Sequence, residues 1–395
     1  MRLLIWSPAP WAATGFGKVA GAIGPRIAKK HQVAYFIFTH AHNTPGLKFG
    51  SPDNPLEVFT APRGPMRKEN QWVNQVRESW GADAVLSIFD WWALPENFHR
   101  WAPPSLIAYT PVDAIPLAPQ LQARLQSATY IVPMCHWAKS VYEEAKMLVE
   151  SPILHGVDLN LYKPIPKGEA RNAINSNLML DMNLPNNAFV VGIVARNAAD
   201  RKNLPAQMKA FYQASIPNSK LFYVGDLDEP KGWNLQGVWR LLAGNDNNQL
   251  VYFNGEFAET GMPYVYSSMD VLMNCTYGEG FGFPLIEAGA CGVPSIVTDF
   301  SSMRELVQPE RGYLVSGEVS HCQQILSTWQ MIPSLKKMRD TLVLSYERHD
   351  DQFLSLVTKG QAMRKWVIEN CDWDKIGNQW ITFLDKIESD IKPKR

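Results

Sequence analysis

The sequence has few cysteines and no excess of charge of either sign, and both absences narrow what the protein can be. Its five cysteines are scattered, with no Cys-x-x-Cys pair and no His-Cys cluster at zinc spacing, so a reducing compartment fits best. The 38 Lys and Arg residues are balanced by 38 Asp and Glu residues. No net field therefore attracts the whole chain to nucleic acid or to an anionic membrane.

Long apolar runs are also missing. No stretch approaches the length of a membrane span, and residues 1–8 are too short and soon too polar to act as a signal peptide. Short-period repeats and low-complexity tracts do not occur either. We therefore expect a cytoplasmic protein, with peripheral contact to a membrane left open.

The sequence does have the composition of an ordinary globular protein, with 46% apolar and 19% charged residues. Its 395 residues are enough for two or three domains. In residues 1–165, apolar runs alternate with helical patterns, which predicts a parallel sheet covered on both faces. The expected strands are 2–6, 33–38, 84–89, 105–109, 130–134 and 152–154, and the expected helices include 66–80 and 136–149.

A second alternation follows a stretch rich in Lys, Pro and Asn, and it predicts a second domain over residues 166–370. Past residue 318 we interpret the pattern as helical to the end. The expected fold class is α/β, with two doubly wound Rossmann-like domains facing each other across a cleft that binds ligands. The expected strands of the second domain are 188–195, 220–224, 249–253, 270–274 and 295–298.

Residues 270–300 contain the most informative pattern. An apolar run ends near Asn274, a glycine-rich turn follows, and Pro284 stands where a helix has its first residue and needs no N–H. Gly280 and Gly282 allow the backbone to approach a ligand closely. Because the amino end of a helix attracts anions, this turn predicts a phosphate site.

Two glutamates bracket the turn. Glu279 lies just before the anion site and Glu287 lies one turn into the helix, so both can reach one extended ligand. A carboxylate accepts two hydrogen bonds at once and suits a sugar diol. The alternative is a plain strand, turn and helix with two solvated glutamates, which the spacing alone leaves open.

Two cations follow the first strand of the second domain. Arg196 leaves the strand tip and Lys202 precedes the next helix, so both can converge on the mouth of the same cleft. Where a nucleoside diphosphate departs without a metal, fixed cations must stabilise its growing charge. A solvated basic loop is the alternative.

The order of Glu279, seven residues and Glu287, with Phe281-Gly282 after the first Glu, resembles the signature of family-4 retaining glycosyltransferases of the GT-B fold. The resemblance implies that Glu279 contacts the donor sugar ring and that Glu287 binds the ribose hydroxyls. It also implies a retaining, metal-independent transfer that needs no cofactor beyond its substrate, a nucleotide sugar such as a UDP- or GDP-sugar.

The diphosphate site follows from the same resemblance. It implies that the amides of Gly280, Phe281 and Gly282 hold the diphosphate together with Arg196 and Lys202. Residues 371–395 resemble the last helix of such proteins, which crosses back to the first domain.

Three further segments resemble donor-binding parts of the family. The loop with Gly15, Phe16 and Gly17 resembles the glycine-rich loop after the first strand, although its spacing also suits a dinucleotide fingerprint. That alternative is weaker because eight residues separate Trp6 from Gly15, whereas a nucleotide-binding turn follows its strand directly. Glu305, Gly255 and Phe257 complete the expected donor site.

The expected acceptor side lies in the first domain. His155 and Asp158 belong to a His-Gly-Val-Asp segment that resembles the family's, although a lone histidine is more often structural. Asp113 stands where many relatives carry a histidine beside the donor sugar, so it is a catalytic candidate. Trp91 and Trp92 are candidates for an acceptor groove, because aromatic faces stack on sugars.

The resemblance implies a hexosyl- or pentosyltransferase whose acceptor is a glycan, a lipid or DNA. A phage-type enzyme that glycosylates a hydroxylated base is one alternative, although the neutral charge argues against phosphate contacts. A non-catalytic nucleotide-sugar binding protein and a Rossmann oxidoreductase are the others. The sequence indicates neither the sugar, the base nor the oligomeric state.

Overall fold

A computed structural model describes residues 1–38, 44–62, 69–176, 183–198, 200–244, 246, 248–255, 257–324, 326–351 and 353–391. By its internal contacts the chain divides into two compact units. Unit 1 comprises Met1–Gly156, Gln323–Thr328 and Asp372–Arg395, and unit 2 comprises Val157–Cys322 and Trp329–Cys371.

The described ranges contain 15 strands: β1 (Arg2–Ser7), β2 (Gln32–Ile37), β3 (Leu47–Phe49), β4 (Leu56–Thr60), β5 (Ala84–Ile88), β6 (Leu106–Tyr109), β7 (Tyr130–Ile131), β8 (Phe189–Val194), β9 (Ser219–Val224), β10 (Leu250–Phe253), β11 (Val271–Asn274), β12 (Ser295–Thr298), β13 (Gly312–Val315), β14 (Gly317–Cys322) and β15 (Trp329–Pro333). The same ranges contain 13 α-helices: α1 (Gly15–Ile27), α2 (Glu69–Trp80), α3 (Pro119–Leu125), α4 (His136–Glu144), α5 (Lys167–Asn175), α6 (Leu204–Ala214), α7 (Leu235–Ala243), α8 (Met262–Ser267), α9 (Phe283–Ala290), α10 (Ser301–Leu306), α11 (Leu335–Asp351), α12 (Phe353–Asn370) and α13 (Trp373–Ile391).

Unit 1 is built on a seven-stranded sheet with the order β3-β4-β2-β1-β5-β6-β7. The central strand β1 is parallel to both β2 and β5, whereas β3 pairs antiparallel to β4 at the edge. Side chains on both faces of the centre are buried, as Leu4, Ile5 and Val85 show. An apolar centre of this kind requires cover on both faces, which explains the continuous apolar runs of the sequence.

The last helix, α13, packs within unit 1. Trp380 is fully buried, and its ring centroid lies 5.0 Å from that of Tyr109 on β6. Nε of Arg26 on α1 donates to Oδ1 of Asp374 over 2.8 Å. Residues from the two ends of the chain therefore share one core.

Unit 2 contains a six-stranded parallel sheet with the order β10-β9-β8-β11-β12-β13. The direction in which successive strands are added reverses between β8 and β11, the two central strands. The loops that leave the carboxyl ends of β8 and β11 therefore turn to opposite sides. Open α/β sheets bind ligands in the crevice at such a switch point.

The expected α/β fold is confirmed, and the differences are local. Residues 152–154 form no strand and β7 ends at Ile131, because Pro133 and Pro152 have no N–H to donate to a ladder. Helix α4 ends at Glu144, well before residue 149. The helix expected over 66–80 begins at Glu69, and residues 66–68 lie outside the described residues.

The largest error concerns the segment past residue 318, which does not turn helical at once. It forms the antiparallel hairpin β14–β15, in which Val319 pairs with Met331. The strands β3, β4 and β13 were not predicted either, since runs of three to five residues carry little periodic signal. None of the described helices is both long and apolar enough to span a membrane.

Candidate active site

The glycine-rich turn links β11 to α9 in unit 2. Gly282 adopts a φ of +106°, which other residues rarely adopt, directly before α9 begins. Oγ of Ser302 lies 2.8 Å and 2.7 Å from the carbonyl oxygens of Glu279 and Phe281. Oγ of Ser301 accepts the N–H of Glu279 over 3.0 Å. These contacts fix the turn at the amino end of α9, where the helix dipole favours an anion.

Glu279 is buried in this turn and is nevertheless ionised. Nζ of Lys202 donates to its Oε1 over 2.7 Å, and Nη1 of Arg201 donates to its Oε2 over 2.9 Å. Burial raises the pKa of Glu279, but Lys202 and Arg201 more than offset this effect and lower the pKa to about 2. One carboxylate therefore faces two cations, and the three side chains together carry a charge of about +1.

The loop after β8 places these cations. Nδ2 of Asn203, whose φ is +52°, donates to the carbonyl oxygen of Cys275 over 3.0 Å. The side chain of Gln207 donates to the carbonyl oxygen of Lys202 over 2.8 Å and accepts the N–H of Cys275 over 3.0 Å. Because both amides are buried, the loops after β8 and β11 are locked together.

Arg196, the other cation expected at the diphosphate, pairs with a different carboxylate from Lys202. Its Nη2 donates to Oε1 of Glu229 over 2.7 Å, and its side chain is 72% exposed. The neighbouring Asn197 is fully buried and exchanges two hydrogen bonds with the backbone of Trp233. Lys202 therefore contacts Glu279 in this structure, while Arg196 contacts Glu229.

Glu287 is buried on α9, one turn after the glycines. Its Oε2 accepts the hydroxyl of Tyr266 over 2.6 Å. Burial and the nearby Glu287 raise the pKa of Tyr266 well above its ordinary value, so this phenol remains a donor. Tyr162 packs beside it, with ring centroids 6.3 Å apart, and donates to Glu259 over 2.8 Å.

The other expected donor residues of unit 2 occupy separate positions. Glu305 lies half-buried on α10. Gly255 follows β10 with a φ of +121°, and the ring of Phe257 packs 4.0 Å from that of Phe253. Nη2 of Arg311 donates to the carbonyl oxygen of Glu305 over 2.9 Å.

Gly15, Phe16 and Gly17 lie in the first turn of α1 rather than in a loop, which corrects our expectation. The side chain of Thr14 caps this helix by accepting the N–H of Gly17 over 3.1 Å. A Cβ on Gly17 would lie 2.5 Å from the carbonyl oxygen of Ala12. A packing role therefore explains Gly17 without any ligand.

His155 lies in the core of unit 1, which contradicts its expected place at an acceptor site. It is 4% exposed, its Nδ1 lies 2.9 Å from the hydroxyl of Tyr109, and burial lowers its pKa to about 3. Asp158 is exposed, but its Oδ1 accepts the N–H groups of Asn160 and Leu161. Both residues therefore have structural contacts that account for them.

The two tryptophans of the expected acceptor groove differ. Trp91 is fully buried and donates to Oγ of Ser87 over 3.0 Å, so it presents no face to a ligand. Trp92 is 40% exposed. Asp113 accepts a hydrogen bond from Nε2 of Gln323 over 3.3 Å, within unit 1.

The sequence reasoning overlooked Arg201, Tyr266 and Gln207. Arg201 stands directly beside Lys202, so the charged pair in Arg201-Lys202-Asn203 was a signal that could have identified it. Tyr266 and Gln207 carry no such signal, because only the tertiary contacts bring them to the turn.

A stretch that lies mostly in unit 2 matches a known family. Residues 188–328 match the family described as "Glycosyl transferases group 1". The O-antigen chain mannosyltransferase B of Escherichia coli is 28% identical over 107 residues, which are 27% of this chain and 28% of that protein. The serotype-specific mannosyltransferase WbdA of Escherichia coli is 26% identical over 190 residues, 48% of this chain. The alignments thus span 28% and 22% of the lengths of these relatives.

Solved structures resemble the whole chain. Sucrose-phosphate synthase from Thermosynechococcus elongatus aligns with a TM-score of 0.75 at 18% identity. The alignment covers 99% of this chain and 100% of the synthase chain. Anabaena HepE in complex with UDP-glucose aligns with a TM-score of 0.70 at 16% identity, covering 98% and 100%. At such identities the likeness shows the fold alone. The chain thus has the α/β fold of GT-B glycosyltransferases, and its residues 188–328 match the glycosyl transferases group 1 family.

Proposed function

We propose that this chain is a retaining, metal-independent glycosyltransferase that moves a sugar from a nucleotide sugar to an acceptor hydroxyl. One observation carries the proposal. At the switch point of unit 2, the buried and ionised Glu279 is paired with Lys202 and Arg201 in front of the amino end of α9. The carboxylate can accept hydrogen bonds from sugar hydroxyls, and the cations and the helix end can bind phosphates. A nucleotide sugar carries both kinds of group.

The diphosphate would bind where the charge is positive. Lys202, the amide groups of Gly280–Gly282 at the start of α9, and Arg196 after release from Glu229 are the groups we assign to it. Each cation about 4 Å from a phosphate charge contributes on the order of 4 kcal/mol at an effective dielectric constant of 20. These groups stabilise the leaving diphosphate as its charge grows.

The sugar and the ribose would bind the two carboxylates. Glu279 accepts hydrogen bonds from the sugar hydroxyls, and Glu287, oriented by Tyr266 over 2.6 Å, accepts them from the ribose. Retention follows if the acceptor attacks from the face that the diphosphate leaves. The departing phosphate oxygen then takes the acceptor's proton, so no side chain is needed as a general base.

The proposed metal independence has to account for two Asp-x-Asp sequences, because this pattern occurs in metal-dependent transferases. Asp372 caps α13 by accepting the N–H of Asp374 over 2.6 Å. Asp226 and Asp228 flank the buried Leu227. Among the described residues, one group of three side chains has the spacing of metal ligands: His31, Asp385 and Glu388. Asp385 already pairs with Lys30, and Glu388 pairs with the ammonium of Met1.

We therefore assign the diphosphate to protein cations.

The acceptor we propose is a glycan. The support is the likeness to the two Escherichia coli mannosyltransferases, one of which is described as acting on an O-antigen chain. We also propose a cytoplasmic location. The five cysteines are thiols rather than disulfides and four of them are buried, which suits a reducing compartment.

A ligand panel followed by one substitution tests the proposal. We expect UDP, GDP or ADP, alone or as a nucleotide sugar, to raise the melting temperature, because a ligand at 100 times its Kd adds about 2.7 kcal/mol of stability. Glu279→Gln should retain nucleoside diphosphate binding and lose about 100-fold or more in kcat. Sugar transfer to a panel of mannose-containing glycans is measured by the nucleoside diphosphate that it releases into solution.

The matched control is Glu347→Gln, which removes an exposed carboxylate from α11 and should leave kcat within twofold. Binding without any transfer would favour the non-catalytic alternative. Tight duplex DNA binding with a steep salt dependence would favour a nucleic acid acceptor. Turnover by Glu279→Gln at the unmodified rate would exclude the role given to this residue.

A further inference from the structure

Arg201 contacts the turn around Glu279 through both its side chain and its backbone. Its Nη1 donates to the carbonyl oxygen of Gly278 over 2.9 Å as well as to Glu279. Its own carbonyl oxygen accepts the N–H of Tyr277 over 2.8 Å. Both its backbone and its planar guanidinium are therefore fixed to residues 277–279.

Lys202 is the more mobile type of cation. Its ammonium is compact, carries three rotatable donors and ends a flexible four-carbon stem, so it can exchange one anionic partner for another. Its Nζ donates to Glu279 over 2.7 Å. A cation that neutralises Glu279 cannot at the same time give its full charge to a diphosphate.

We propose that Arg201 is a positioning residue, the resident counter-ion of Glu279, which allows Lys202 to leave Glu279 for the diphosphate of the donor. The inference rests on the proposed function, because it places a diphosphate beside Lys202. It assigns Arg201 a task that neither the resemblance nor the expected site included.

The charges explain why two cations are needed. With Arg201 present, Glu279 stays compensated after Lys202 moves, so the buried carboxylate is never left alone. Without Arg201, Lys202 and Glu279 neutralise each other, and Lys202 can move only by leaving a buried charge unpaired. Removal of one partner from a buried pair is strongly unfavourable, so Lys202 would remain on Glu279.

Second-site rescue tests this exchange. We expect Arg201→Gln to weaken the binding of UDP or GDP by about 10- to 100-fold. This is the effect of losing one charge-assisted hydrogen bond, the one from Lys202 to the diphosphate. Adding Glu279→Gln should restore the Kd to within about threefold of the unmodified chain, because Lys202 is then released. The Kd values are measured by isothermal titration calorimetry.

Lys209→Gln is the matched control, since it removes an exposed positive charge from α6 and should change the Kd less than twofold. Arg201→Lys should recover part of the affinity. If Arg201→Gln/Glu279→Gln binds as weakly as Arg201→Gln, then Arg201 contacts the phosphates itself and the exchange is wrong.

Thermal unfolding without ligand separates this inference from the proposed function. A double-mutant cycle of Arg201→Gln and Glu279→Gln should show that the two substitutions are not additive, because the pair is in direct contact. Additive effects would overturn Arg201 as the counter-ion even if the chain transfers sugar. Coupling without any binding of UDP, GDP or ADP would overturn the exchange and the proposed function together, while leaving the ion pair intact.

Discussion

At the scale of single residues, burial does not decide charge by itself. Glu279 and His155 are both buried, yet Glu279 is ionised and His155 is neutral at physiological pH. The difference lies in their neighbours, since Glu279 faces two cations and His155 faces the hydroxyl of Tyr109. The contact partners, which the sequence does not show, keep one buried side chain charged and the other neutral.

The pH dependence of stability tests the ionised state of Glu279. Its pKa in the folded chain is about 2, against an ordinary value of 4.5. Its contribution to stability is therefore fully present above about pH 4.5 and is lost as the pH falls towards 2. We expect the free energy of unfolding to fall more steeply between pH 4.5 and 2 in the unmodified chain than in Glu279→Gln. Calorimetry at a series of pH values, with Glu347→Gln as the control, measures this difference; equal slopes in all three proteins would contradict it.

At the scale of elements, glycines determine how closely helix α1 packs against the loop that precedes it. Gly17, in the first turn of α1, lies so close to residues 9–12 that a Cβ would be 2.5 Å from the carbonyl oxygen of Ala12. Gly21, one turn later, would meet the carbonyl oxygen of Pro10 at 2.4 Å. The sequence offers Gly17 as part of a possible nucleotide loop, but in the structure both glycines allow one stretch of backbone to pack closely against another.

Gly17→Ala tests this packing role. We expect a loss of about 1–3 kcal/mol in the free energy of unfolding, because backbone atoms cannot yield as a flexible side chain does. Gly168→Ala in α5 is the control: its Cβ would meet nothing nearer than 3.8 Å, so stability should stay the same or rise by up to about 1 kcal/mol. Urea unfolding measures both, and equal stabilities of the two variants would refute the packing role.

At the scale of the whole molecule, the end of the chain completes the core of its beginning. Trp380 on α13 is fully buried beside Tyr109, and Gly377 lies against Arg26 on α1. Such contacts join residues more than 250 positions apart in sequence, which delays their formation in folding because a long loop must close first.

Trp380→Ala measures how much this helix stabilises unit 1. We expect a loss of about 3–5 kcal/mol, the usual cost of removing a buried aromatic side chain. Trp101→Ala in the same unit is the control, because this ring is 41% exposed and its removal should cost about 0.5 kcal/mol or less. Denaturant unfolding followed by tryptophan fluorescence and circular dichroism compares them. A loss at Trp380 no larger than that at Trp101 would show that α13 contributes little.

The sequence by itself determined the alternation of strands and helices and the turn around Glu279, because continuous apolar runs and a Gly-Pro helix start are local patterns. It also indicated that Lys202 and Glu279 follow strands of one sheet. It did not indicate that Arg201 shares Glu279, that Tyr266 orients Glu287, that Trp91 and His155 are buried, or that β14 and β15 pair as a hairpin. Those outcomes depend on contacts between distant segments, and only the tertiary structure decides which side chains meet and which remain in water.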